Sequence, residues 1–202
     1  MRTKRVSIII LTVFLLRVII SCCDCPKLNE HKYSYDNLSV YNLDNSGQNP
    51  VISLTNIVPS KAYGIEIDFS LIRVALNRSK TLTVFPEAFA QDCFCLDSLQ
   101  YIAKDTITSI DITTIDDFDS QRPANSDVSY LFKILQNNSY VTFQEYINQP
   151  EIIYQNKIPE KEILQLFLLQ PPQFLGEHKF KIGITLSDNR LLTTTTNPVI
   201  LQ

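Results

Sequence analysis

Four of the five cysteines fall in two Cys-x-Cys segments, Cys23-Asp24-Cys25 and Cys93-Phe94-Cys95. A bond within such a segment is strained, so an even set in an exported chain predicts bonds across the segments. Joining Cys25 to Cys93 or Cys95 closes a loop of about 70 residues, worth on the order of 4 kcal/mol in the chain-entropy picture. Two alternatives stay open: a four-thiolate zinc site, which lacks the usual two-residue spacing, and a Cys23 that remains reduced. Asp111, Asp116, Asp117, Asp119 and Asp127 form an acidic cluster whose oxygens could hold Ca²⁺, without the spacing of an EF-hand. Asp117-Phe118-Asp119 suits a turn equally well. His31 and His178 are the only histidines, far apart in sequence, and no nucleophile elbow or glycine-rich phosphate loop is present. No catalytic residue, metal or cofactor is expected; the enzymatic alternative is a hydrolase using the acidic cluster and His178.

The fifth cysteine has a different chemistry. Arg2, Lys4 and Arg5 precede an apolar run over residues 6–16, the two parts of an export signal. The run is shorter than the roughly 20 residues of a membrane span, and Arg17 interrupts it. Val18-Ile19-Ile20-Ser21-Cys22 then resembles the bacterial lipobox. That resemblance implies a diacylglycerol on the Cys22 thiol, cleavage after Ser21 and acylation of the new amino terminus. A plain secretory signal would leave the boundary cysteine unexplained. Cys23, not Asp, follows Cys22, so one inner-membrane retention signal is missing and outer-membrane placement is expected.

Residues 1–21 carry four basic side chains (Arg2, Lys4, Arg5, Arg17) and no acidic one, so the net charge of −3 becomes −7 without them. An acidic chain with no basic cluster is not a nucleic-acid binder. The absence of Trp weakens carbohydrate recognition, although nine Tyr leave it open.

The elements that must position these groups are mainly strands. Residues 26–50 are polar and turn-rich and predict a tether with a first strand over residues 31–40, followed by a short strand within 50–58. In residues 62–76, Tyr63, Ile65, Ile67, Phe69 and Leu71 alternate with Glu66, Asp68 and Ser70, a strand with one buried face. Residues 106–115 alternate again, with Thr108, Ile110 and Ile112 on one face. Ser126 can cap a helix carrying Val128, Leu131, Phe132 and Leu135, and Thr142-Phe143-Gln144-Glu145 is a capping box opening a helix that Pro150 ends. Residues 163–169 form a buried apolar run. Phe180, Ile182, Ile184 and Leu186 alternate into a hairpin turn at Ser187-Asp188-Asn189-Arg190. The expected fold is mainly β, an antiparallel immunoglobulin-like β-sandwich with one or two short helices inserted. The expected divisions are a signal peptide over 1–21, a lipidated amino terminus and tether with the first strand over 22–50, and one sandwich domain over 51–202.

The lipobox, the central Cys-x-Cys and the segments Ile107-Thr108-Ser109-Ile110-Asp111-Ile112, Asp117-Phe118-Asp119, Pro123-Ala124-Asn125 and Leu131-Phe132 resemble an uncharacterised family of Bacteroidetes lipoproteins. Ala62-Tyr63-Gly64-Ile65 and His178-Lys179-Phe180 extend the resemblance over nearly all of the mature chain. The resemblance implies an envelope lipoprotein of unknown function with no catalytic residues to carry over. Asp97-Ser98-Leu99 and Asp105-Thr106-Ile107 resemble that phylum's O-glycosylation pattern, with Ser98 and Thr106 as acceptors. The function expected is a non-enzymatic binding or assembly module, held to the membrane by its lipid anchor and presenting loops and sheet edges to an envelope protein or glycan.

Overall fold

Strand β1 (Glu30–Asp44) is the element on which the largest sheet is built. The computed structural model describes residues 30–74, 99–150 and 152–202. Fifteen residues at about 3.3 Å each make β1 roughly 50 Å long. Its inward row changes parity, from Tyr33 and Tyr35 to Leu38 and Val40, because a bulge between Tyr35 and Asn37 leaves Asp36 unpaired. Strand β4 (Tyr63–Val74) pairs antiparallel along nearly its whole length.

The alternation expected in β4 holds on its inner face, where Tyr63, Ile65, Ile67 and Phe69 are fully buried. The outer face departs from expectation: Glu66 and Asp68 are each only 8% exposed. Their cover is not a helix but long side chains of the neighbouring strand β10 (Lys161–Leu168). Lys161 bonds Asp68, and Gln165 Nε2 donates to Glu66 Oε2 at 3.0 Å. The Phe167 ring lies over Gly64, where any Cβ would meet it.

Beyond β10 the sheet continues through β7 (Phe132–Gln136) to β8 (Ser139–Val141), joined by a tight turn in which Asn137 and Asn138 have φ of 49° and 61°. On the other side of β1 lie β5 (Gln100–Ala103) and β9 (Ile153–Gln155), and β2 (Val51–Ile52) pairs with the far end of β1. This large sheet curls into a half-barrel. Two three-stranded sheets pack with it. One joins β6 (Ile107–Thr114), β12 (Phe180–Leu186) and β13 (Leu191–Thr195); the other joins β3 (Ile57–Val58), β11 (Gly176–His178) and β14 (Val199–Leu201). The core closes around Phe180, whose ring lies 5.5 Å from Tyr63 and 5.7 Å from Phe132, centroid to centroid.

Among the described residues the fold is mainly β with one short helix, as expected, but several expectations are corrected. The antiparallel immunoglobulin-like sandwich gives way to mixed sheets, because β1 pairs parallel with β5 and β14 parallel with β3. A parallel pair needs a connection of a dozen or more residues, and the chain between Asp44 and Gln100 is far longer than that. The helix expected after Ser126 is a single 3₁₀ turn (Ser129–Leu131) running into β7. Its apolar stripe serves a turn followed by a period-2 strand, burying Val128, Leu131, Phe132 and Ile134. In β6 a register shift beside Ile107 exposes Thr108, so Ile107, Ile110 and Ile112 form the buried row. The strand expected within 50–58 is two separate two-residue strands, β2 and β3. The capping box is present as read: Thr142 Oγ1 accepts from Glu145 N, and Glu145 Oε2 accepts from Thr142 N at 2.7 Å, opening helix α1 (Phe143–Ile147).

Candidate functional site

The inward row of β10 reads Glu162, Leu164, Leu166, Leu168, so one carboxylate stands in a row that is otherwise apolar. Directly across the ladder is Phe69, a core residue, so Glu162 points to the interior side of the sheet. Burying a carboxylate is costly unless its oxygens are satisfied. Three phenols do this: Tyr154 donates to Oε2 at 3.1 Å, Tyr35 to Oε2 at 3.4 Å and Tyr146 to Oε1 at 3.3 Å.

Each phenol arrives from a different element. Tyr35 lies on β1 just before the bulge, Tyr146 on α1, and Tyr154 on β9. The capping box fixes where α1 starts and thereby where Tyr146 projects. Tyr33 belongs to the same group, its ring 5.4 Å from Tyr154 and 6.0 Å from Tyr35, and its hydroxyl donates to the Ile152 carbonyl at 3.3 Å. Burial pushes the Glu162 carboxyl above the usual range, and the three phenol donors offset part of that shift. Burial, followed by the Glu162 charge, pushes the hydroxyls of Tyr35, Tyr146 and Tyr154 up, so they stay protonated donors. None of the ion pairs among the described residues involves Glu162.

Beside this cluster opens a cleft of about 160 Å³. Tyr33, Tyr35 and Tyr146 form aromatic walls, and Ile107, Ile147 and Pro150 are among its apolar lining. Tyr35 and Tyr146 face the cleft and also bond Glu162, so they couple the opening to the partly buried carboxylate.

Of the described residues singled out from sequence, Thr106 lies at the cleft and the others do not. Cys22, Cys23, Cys25, Cys93, Cys95 and Ser98 are outside the described residues. Thr106 is exposed at the cleft lip, while Asp105 before it is buried and bonded to Arg190 at 3.0 Å. The members of the acidic cluster are each tied to different partners. Asp111 accepts from Ser109, Asp116 from Lys179 N, Asp117 from Ala124 N and Asp127 from Ser129 N. Asp119 is clamped by Arg122, whose hydrogen bonds hold its carboxyl below the usual range. Among the described residues no three of His, Cys, Asp and Glu gather as a metal-binding group. His178 ends β11, 2% exposed, its Nε2 donating to the Phe174 carbonyl at 2.7 Å and its ring packed on Phe180. His31 lies against Tyr101.

Glu162 stands one residue before the apolar run read from the sequence over residues 163–169. Its parity with Leu164, Leu166 and Leu168 was the available signal.

Residues 35–197 match the model of a family described as a domain of unknown function, DUF5034, and the chain belongs to that family. No curated protein and no solved structure matches it.

Proposed function

We propose that this DUF5034 member is a lipid-anchored envelope protein of the Bacteroidetes type, attached through Cys22 at the outer membrane. It works as a non-enzymatic binding module whose ligand site is the tyrosine-walled cleft. One observation carries the binding reading: Tyr35 and Tyr146 line an open cleft and also bond a partly buried carboxylate beside it. A few convergent polar groups under an apolar, aromatic wall are what small-ligand sites share. The anchor rests on Ile19-Ile20-Ser21-Cys22 and on Cys23 following it. With β1 beginning at Glu30, the start of the longest strand lies within a few residues of that anchor.

Two measurements test the reading. Expression with labelled fatty acid should label the wild-type chain and leave Cys22→Ala unlabelled; equal labelling of the two overturns the anchor. Nine Tyr and no Trp make intrinsic fluorescence a tyrosine signal. Envelope extracts fractionated for small molecules should change that signal in wild type and not in a Tyr35→Ala, Tyr146→Ala double variant. An identical response from both proteins overturns the cleft as the ligand site.

A further inference from the structure

We propose that the cleft takes the cationic head group of an organic ammonium or guanidinium ligand, with Glu162 as its counter-charge and the tyrosine rings as its walls. This rests on the reading of the cleft as a ligand site and adds the charge of the ligand. Four observations carry it.

First, the tyrosine hydroxyls satisfy the oxygens of Glu162 but do not neutralise its charge, and none of the ion pairs among the described residues does so. Removing a carboxylate from water without a partner charge is unfavourable, so a cation entering this neighbourhood gains what the fold leaves unmet. Second, the lining suits a cation. Tyr33, Tyr35 and Tyr146 offer electron-rich rings, and among the described residues neither Lys, Arg nor His lines the cleft. Aromatic walls of this kind favour weakly hydrated ammonium and guanidinium groups. Third, the size admits a head group. At about 160 Å³ the cleft has room for more than a single water molecule. Fourth, Tyr35 and Tyr146 reach from the cleft to the carboxylate, so a bound cation sits one phenol away from the charge.

The geometry makes the response to ligand charge separable from the response to ligand shape. Choline and 3,3-dimethyl-1-butanol have nearly the same shape, and only choline is charged. Calorimetry of the full mature chain near neutral pH should give choline at least a tenfold tighter binding. Glu162→Gln keeps an acceptor for the phenols and should cost choline at least tenfold while leaving the alcohol unchanged. Choline binding should also weaken as pH falls through the titration of Glu162, and alcohol binding should not. Equal affinity for the two probes in wild type overturns the cation inference and leaves the cleft reading standing. Absence of binding by either probe overturns both. If Glu162→Gln fails to fold, the two-probe comparison on wild type still decides. Nα-acetyl-lysine amide as a third probe separates sources: tighter binding than choline points to a peptide side chain, and weaker binding to a small quaternary ligand.

Discussion

Gly64 and Gly183 both lie inside strands, yet the same substitution should move stability in opposite directions at the two positions. In general Gly→Ala stabilises by about 0.4–1 kcal/mol when the new side chain fits, because it narrows the unfolded ensemble. At Gly183 an added Cβ would meet Leu191 Cδ1 at 3.7 Å and Asp111 Cβ at 3.9 Å, both ordinary contacts. At Gly64 it would come within 2.7 Å of the Leu166 carbonyl oxygen and 3.0 Å of the Phe167 ring. The ring can swing aside; the carbonyl belongs to the β4–β10 ladder and can move only with the strand. Overpacking of this kind costs about 1–3 kcal/mol, more than the entropy gain returns. Gly64→Ala should therefore destabilise by roughly 1–2 kcal/mol, the clash less the gain. Gly183→Ala should be neutral or stabilise by up to about 1 kcal/mol. Urea midpoints at unchanged m give both values. Shrinking the ring in a Gly64→Ala, Phe167→Leu double variant should not restore stability, because the carbonyl contact remains. A Gly64→Ala protein as stable as wild type would refute the close approach of the two strands.

Phe180→Ala should cost about 3–5 kcal/mol, since the ring is fully buried and packed by Tyr63, Phe132 and Phe118; a urea midpoint shift worth less than about 1.5 kcal/mol would displace it from the centre of the core. Thr142→Ala removes the cap of α1 and should cost about 1 kcal/mol by the same assay, with a change in the tyrosine spectrum because Tyr146 rides on that helix. Non-reducing peptide mapping of envelope-isolated protein should recover a peptide joining the Cys23/Cys25 segment to Cys93 or Cys95; four free thiols would contradict it. Because the folded protein raises the Glu162 pKa, it holds that proton to higher pH than the unfolded chain does. The stability this group contributes is full below the ordinary glutamate range and is lost as pH rises through the folded value. The difference between wild type and Glu162→Gln, followed by thermal melts, should fall in that direction, and a rise would contradict it.

What could be read from sequence was what local periodicity encodes. Tyr63 to Phe69, Phe180 to Leu186, the Asp188-Asn189 turn and the Thr142–Glu145 box each declare themselves within a few residues, and each is found in the fold. The rest depends on partners distant in sequence. The parallel pairing of β5 with β1 joins residues about 70 apart in sequence, and the shift from Tyr35 to Leu38 in β1 becomes intelligible only once the bulge is seen against β4. The stripe Val128, Leu131, Phe132, Leu135 satisfies a helix as well as a turn followed by a strand, and the strand prevails because β10 offers β7 a ladder. The tyrosine–glutamate cluster draws on β1, α1, β9 and β10, so no local window contains it. Conversely, the aspartates that are close in sequence between 111 and 127 do not gather into one metal-type group among the described residues, each bonding a different partner.

The carboxyl of Glu162 can be observed directly. Carbon-13 labelling of glutamate, with assignment by loss of one signal in Glu162→Gln, lets its chemical shift be followed across pH in the mature chain. A partly buried carboxylate within a tyrosine cluster and without an ion-pair partner among the described residues should titrate above the ordinary glutamate value. Addition of choline should then pull the midpoint down, because a nearby cation favours the charged form. A midpoint at or below the ordinary value without ligand, unmoved by choline, would mean that Glu162 is neither desolvated nor in need of a counter-charge, and the cleft would lose its claim as a cation site.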